Sequence, residues 1–158
     1  MIILPDDIII NKILDTINYL FGINVKNKID KKSVKYEISA KTKRLKYIYI
    51  DEELFATVRT NGNYALTIHG SQIILNHDKM KKNCVVINND IREYIEKSGS
   101  VFAKHVLNAG KNIYPESEAI IIDEKQNLIA IGKSILSQEM MKKMNNGVAV
   151  KIRHRINK

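Results

Sequence analysis

Ser98-Gly99-Ser100-Val101-Phe102-Ala103-Lys104-His105-Val106-Leu107 reads as a helix stop followed at once by a strand, and it fixes the reading of the second half of the chain. Ahead of it, Asn88 to Lys97 has Ile91, Tyr94 and Ile95 at helical spacing, so a short helix ends at the serine-glycine turn. Cys84 to Ile87, further upstream, is short, apolar and β-branched, as a buried strand is. Downstream, Ala119–Ile122 and Leu128–Ile131 are two apolar runs joined across Asp123-Glu124-Lys125-Gln126-Asn127, a hairpin pattern. Ser137 to Met144 predicts a helix with Met140, Met141 and Met144 on its apolar side and Ser137 as its cap. Gly147 then opens a last strand, Val148 to Ile152, which runs into Arg153-His154-Arg155. Many short strands and two short helices predict a small, sheet-dominated domain.

The preceding half has a different texture. Asp7 to Phe21 carries Ile9, Ile10, Ile13, Leu14, Ile17, Leu20 and Phe21 at three-and-four spacing, one apolar stripe of a helix capped by Asp6 or Asp7 and ended by Gly22. Lys26 to Lys46 holds nine cations against Asp30 and Glu37, a local excess of seven. Three strand-like runs follow, Leu45–Ile50, Leu54–Thr60 and Tyr64–His69, separated by Asp51-Glu52-Glu53 and Asn61-Gly62-Asn63, the signature of an antiparallel meander. Alternation within Leu54–Arg59 predicts one buried face, with Leu54, Ala56 and Val58, and an opposite face presenting Arg59. Gly70 to Asn83 is a polar stretch, and the boundary falls there, with domains at 1–80 and 81–158. The fold class is α+β: an N-terminal antiparallel sheet with a helix, followed by a second, mostly β, domain.

Composition narrows the classes of function. The chain has 158 residues, 26 Lys and Arg against 17 Asp and Glu, and a net charge of +9, which favours a polyanionic partner or an acidic surface. A solvated lysine-rich surface explains the same excess, so charge alone leaves nucleic acid open. Cys84 is the only cysteine, which leaves no internal disulfide and no cysteine-rich zinc site. The start Met1-Ile2-Ile3-Leu4-Pro5 lacks the charge and apolar run of a signal peptide, and no run approaches a membrane span, so a cytoplasmic location is expected.

Three ordered blocks carry a family resemblance: Ser98-Gly99-Ser100-Val101-Phe102-Ala103-Lys104-His105-Val106, Leu128-Ile129-Ala130-Ile131-Gly132-Lys133-Ser134 and Gly147-Val148-Ala149-Val150-Lys151-Ile152-Arg153. Together they resemble the PUA domain, a small β pseudo-barrel that binds RNA. The pattern departs at Pro115-Glu116-Ser117-Glu118-Ala119, where such domains carry a Gly-Asp turn, and at His105, where relatives have an aromatic residue. Ser39-Ala40-Lys41-Thr42-Lys43-Arg44-Leu45-Lys46, Leu54-Phe55-Ala56-Thr57-Val58-Arg59 and Leu66-Thr67-Ile68-His69-Gly70 resemble the domain that precedes PUA in archaeal tRNA-guanine transglycosylase and archaeosine synthase. Here Lys43 replaces an expected glycine and Ser71 an expected alanine.

The resemblance implies a tRNA ligand and an archaeal source. Base exchange in that family belongs to a separate barrel with an aspartate nucleophile and a zinc site; such a barrel needs about 250 residues. The chain is therefore expected to be a non-catalytic accessory subunit that positions tRNA for archaeosine-type modification, its partner being a catalytic transglycosylase or archaeosine synthase chain. No catalytic residue, metal or cofactor is expected. Action on ribosomal RNA or in translation, and a protein-interaction adaptor without RNA binding, remain the alternatives.

The candidate RNA contacts are Ser98, Gly99, Ser100 and Lys104, where glycine admits a phosphate to the backbone and lysine neutralises it, together with Lys133 from the second block. Lys151, Arg153 and Arg155 alternate along the last strand and would form a row of cations on one face; a frayed basic tail is the competing reading. In the first domain Lys41, Lys43 and Arg44, with Arg59 on a nearby strand, would track a phosphate backbone, or equally keep a sheet edge soluble. Tyr47, Tyr49 and Tyr64 read as core residues before base-stacking ones, and Cys84 as a buried structural thiol.

Overall fold

The computed structural model describes residues 6–156, so Met1 to Pro5, on which the argument against a leader rests, lie outside the described residues. The chain divides into two compact units, Met1–His77 and Asp78–Lys158.

In the first unit, α1 (Asp7–Phe21) starts where the Asp6 carboxylate accepts from Ile8 N at 2.8 Å and stops at Gly22, left-handed at φ 61. Ile10, Ile13, Leu14, Ile17 and Phe21 form its buried stripe. Four antiparallel strands follow in the order β1-β2-β3-β4: β1 (Val34–Ile38), β2 (Leu45–Ile50), β3 (Glu53–Val58) and β4 (Tyr64–Leu66). β1 lies inside the basic run, unrecognised there because Lys35 and Glu37 alternate with buried Val34 and Tyr36. Tyr36, Ile48, Ala56 and Leu66 are in register across the sheet and all buried.

Two expectations for this unit need correction. Strict alternation in β3 fails because the pairing steps from Ile48↔Ala56 to Tyr49↔Leu54, leaving Phe55 as the extra residue of a bulge; Phe55 and Ala56 are then both buried. The run Tyr64–His69 is a strand only to Leu66. Thr67 ends it: its hydroxyl donates to Leu54 O at 2.5 Å and accepts from Gly70 N at 3.0 Å, which turns the chain into α2 (Ile68–His77). That helix occupies what reads as a polar stretch, since only Ser71, Ile74, Leu75 and Gly70 on it are buried. At Gly70 a Cβ would stand 2.1 Å from Phe55 O, so glycine is what lets the helix lie directly on the bulged strand. Ser71, in the place of an expected alanine, is buried with its hydroxyl donating to Thr67 O at 2.7 Å.

The second unit is one six-stranded sheet in the order β6-β10-β9-β8-β5-β7, built from β5 (Cys84–Ile87), β6 (Ser100–Phe102), β7 (Val106–Ala109), β8 (Glu118–Ile122), β9 (Leu128–Ser134) and β10 (Val148–Arg155). β5 and β8 are parallel and the other pairs antiparallel. The expected single strand Val101–Leu107 is two strands, broken by a 3-10 turn at Ala103–His105. Buried Ala103 donates its N–H to Gly147 O at 2.9 Å, and the chain there leaves β10 to pair with β5. Because these outermost strands β6 and β7 are consecutive, the sheet curls back on itself as a half-barrel. The helix expected over Asn88–Lys97 begins as a 3-10 turn, Asn89–Ile91, and continues as α3 (Arg92–Lys97). Ser137 caps α4 (Gln138–Lys143), accepting from Met140 N at 3.2 Å. Val85, Ile87, Ile95, Val101, Ile121, Ile129 and Val150 fill the interior. Among the described residues no helix is long and apolar enough to cross a membrane.

Candidate nucleic-acid interface

Register places four residues in one row across adjacent strands: Ser100 opposite Lys151, Lys151 opposite Lys133, and Lys133 opposite Glu118. Residues directly paired across strands share a face. Lys151 is exposed, while Lys133 Nζ meets the exposed Glu116 at 2.6 Å. The loop that starts this row is tied down by hydrogen bonds. Ser98 Oγ accepts from Ser100 N at 3.2 Å, Ile152 N donates to Gly99 O at 3.0 Å, and the Arg155 guanidinium donates to Ser98 O and, at 3.2 Å, to Ile95 O. No atom lies within 4 Å of where a Gly99 side chain would begin, so that backbone faces open space.

The three cations of β10 do not form the expected row. Pairing steps from Ile152↔Gly132 to His154↔Ile131, so Arg153 sits at a bulge and simple alternation ends there. Its guanidinium grips Glu118, whose side chain is only 8% exposed, and Arg155 is spent on the carbonyls at the end of α3. Arg153 is thus a structural ion pair as well as a surface cation. His154 beside it lies below the usual imidazole range, first through partial burial and then through the Arg153 charge, with Glu118 opposing.

Lys104 is exposed on the 3-10 turn between β6 and β7. Next to it, the His105 ring lies 6.2 Å from that of Tyr94, tilted by 54°. Tyr94 is 48% exposed rather than packed inward with Ile91 and Ile95. The pair sits beside the serine-glycine loop and presents aromatic surface of the kind on which unpaired bases stack. Helical periodicity assigns Tyr94 to the core side, and a helix of six residues, under two turns, is too short for that periodicity to decide.

In the first unit Lys41, Lys43 and Arg44 are exposed on the loop joining β1 to β2, closed by Ser39 N donating to Arg44 O and Lys43 N to Ser39 O, both at 2.9 Å. Arg59 follows β3, whose end lies beside the start of β2 through the pair Tyr47↔Thr57, so all four cations share one end of the sheet. Among the described residues none of them is in an ion pair. Tyr64 is buried; Tyr47 carries Lys46 Nζ 4.8 Å above its ring.

Other titratable groups have structural duties. Cys84 is buried, and burial first, then the Asp78 charge, pushes its thiol up to about 12. Burial pushes Asp123 up, but hydrogen bonds from Asn127 and Lys125 and the Arg92 charge outweigh it and hold its carboxyl below the usual range. Asp123 accepts there from Lys125 N and Asn127 N, both at 2.9 Å, which shapes the β8–β9 hairpin turn. Among the described residues no group of three or more His, Cys, Asp or Glu side chains could hold a metal ion.

The second unit is thus a curled six-stranded half-barrel with a basic row across its strands, and the unit before it in sequence is a small antiparallel sheet with helices. Residues 83–156 match the PUA domain and residues 11–81 the patch-forming domain C2 of tRNA-guanine transglycosylase, so the chain joins one domain of each kind. Its relatives include tRNA-guanine(15) transglycosylase of Thermoplasma volcanium, 31% identical over 90% of this chain and 23% of the relative. That of Methanosphaera stadtmanae is 31% identical over 90% of the chain and 22% of its own length. The chain therefore spans under a quarter of these enzymes. In fold it resembles a hypothetical protein of Pyrococcus horikoshii, with TM-score 0.73, 19% identity and 98% and 94% of the two chains covered. A PUA domain protein of Thermoplasma acidophilum gives TM-score 0.68 at 16% identity, over 98% and 91%.

Proposed function

We propose that the chain is a non-catalytic tRNA-binding unit that positions tRNA for archaeosine-type base modification by a catalytic barrel on a separate chain. The observation that carries this reading is the match of 90% of the chain to enzymes named for guanine exchange at position 15 of tRNA, of which it spans 23%. In this reading the Ser98-Gly99-Ser100 backbone, Lys104 and Lys151 receive phosphates. Tyr94 and His105 offer a stacking surface, and Lys133 joins when RNA replaces Glu116 as its partner. Arg153 and Arg155 hold that surface in shape. Lys41, Lys43, Arg44 and Arg59 add a second set of phosphate contacts, which orient the RNA without reading its sequence. Orientation alone lowers the entropic part of a reaction barrier, so a unit of this kind accelerates a partner's chemistry without supplying any.

The test is binding of a tRNA transcript at two salt concentrations followed by nucleoside analysis. Affinity should fall steeply with salt, because each phosphate contact releases a counterion. The purified chain should leave the nucleoside composition unchanged, and a separately expressed transglycosylase barrel should exchange guanine faster in its presence. Salt-independent or absent tRNA binding would overturn the reading. So would a modified base made by this chain alone.

A further inference from the structure

The C-terminal unit has a second basic site, away from the row through β6, β10 and β9. It is a cavity of about 250 Å³ where the start of β5, the edge strand β7 and α4 meet, with the lysines 81, 82, 111 and 142 and no carboxylate in its lining. Elsewhere in this unit the cations Lys133, Arg153 and Arg92 each meet an acid. Among the described residues Lys81, Lys111 and Lys142 are in no ion pair. Asp78, at the start of this segment, is buried; its carboxylate accepts from Lys82 N at 3.0 Å and Asn83 N at 2.9 Å, and its backbone carbonyl accepts from Lys81 Nζ at 3.3 Å. Like charges gathered around one concavity repel, and an anion in it relieves that cost.

The wall of the cavity is backbone laid against backbone. Gly110 N donates to Cys84 O and Asn112 N to Lys82 O, both at 2.9 Å, and a Cβ on Gly110 would come within 2.2 Å of the carbonyl oxygens of Lys81 and Lys82. Gln138 Nε2 donates to Ala109 O at 2.9 Å and ties α4 to the opposite side. The shape is therefore fixed before any ligand arrives, which spares the ordering cost of binding. The rest of the lining mixes the apolar Val86, Ala109 and Met80, the last 73% exposed, with the amides of Asn108 and Gln138. Thioether and methyl groups beside lysine side chains fit a flat base next to its phosphate, and a space of about 250 Å³ is too small for a duplex.

We propose that this cavity takes one unstacked nucleotide of the bound RNA, with the phosphate held by Lys81, Lys111 and Lys142 and the base laid against Met80. This rests on the RNA-binding reading above and adds a site to it. The experiment compares the full chain with its Lys111→Ala/Lys142→Ala, Met80→Ala and Lys104→Ala variants, each titrated with a tRNA transcript across a salt series. The lysine pair should weaken binding by roughly tenfold and flatten the salt dependence, because phosphate contacts are lost. Met80→Ala should weaken it by roughly threefold and leave the salt dependence unchanged, as loss of an apolar base contact does. Wild-type affinity in either of these variants, while Lys104→Ala weakens binding, overturns the cavity and leaves the general reading standing. Failure of the wild-type chain to bind tRNA at all overturns both.

Discussion

The two units use their positive charge differently. At the end of the N-terminal sheet, Lys41, Lys43, Arg44 and Arg59 stand without ion pairs among the described residues, on a loop and just past a strand. On the C-terminal sheet the cations of β9 and β10 are largely committed, Lys133 to Glu116, Arg153 to Glu118 and Arg155 to the carbonyls closing α3. A cation on a loop tip keeps its full field for a polyanion, whereas those on these strands, Lys151 excepted, meet an acid or a carbonyl and become part of the architecture. The N-terminal loop should thus carry more of the salt-dependent affinity, and the C-terminal strands more of the shape.

The sharpest way to break this comparison is to remove the N-terminal unit's frame. Gly70→Ala drives a methyl group to 2.1 Å from Phe55 O, a backbone atom of the bulged strand that cannot swing aside as a side chain can. Urea unfolding should show a loss of about 3 kcal/mol or more. tRNA binding should weaken with it, if the loop cations depend on the sheet for their placement. Next in size, replacing Lys41, Lys43 and Arg44 together by glutamate should cut tRNA affinity by about a hundredfold at low salt with little change in unfolding. An effect no larger than that of Lys104→Ala would reverse the assignment of the two units.

Arg153→Ala tests the other side. Glu118 would be left charged and nearly buried, and stability should fall by about 2 kcal/mol in urea unfolding. The double variant with Glu118→Ala should recover much of that loss, since removing both partners removes the orphaned charge. A stable single variant with weakened tRNA binding would instead make Arg153 a surface contact like Lys104.

How much of this was legible in the sequence depended on which interactions are local. The stop at Gly22, the β8–β9 hairpin, the Ser137 cap and the choice of Asp6 or Asp7 as the first cap, which the structure resolves to Asp6, are written within a few residues. The bulges at Phe55 and Arg153 are not, because a bulge is a relation between two strands and leaves no mark on either alone. Helix α2 was missed for a similar reason: its burial is set by Gly70 meeting a carbonyl on β3, not by a dense apolar stripe. At the candidate site the serine-glycine loop and Lys104 were visible as residues. The ion pairs that occupy Lys133 and Arg153 join strands and loops distant in the chain, and a count of cations cannot see them.

The finest test uses two positions where the resembled domains lead one to expect glycine and this sequence places a side chain on a left-handed backbone. Lys43 stands in place of an expected glycine and is left-handed at φ 57; Glu116 lies where PUA domains carry a Gly-Asp turn and has φ 75. A left-handed residue with a side chain costs about 1 kcal/mol, so Lys43→Gly and Glu116→Gly should each change stability by at most that amount, in the stabilising direction. Their effects on binding should have opposite signs. Lys43→Gly removes an unpaired cation from the N-terminal loop, so tRNA affinity should drop by a factor of about five while the fold gains. Glu116→Gly removes the anion that meets Lys133 at 2.6 Å, returns that ammonium to the exposed row beside Lys151, and should raise affinity by about twofold. Because the backbone relief is of one kind in both, any difference in binding belongs to charge alone. Unchanged affinity in Glu116→Gly, beside a drop in Lys43→Gly, would show that Lys133 lies outside the RNA surface and that Glu116 is only its neighbour.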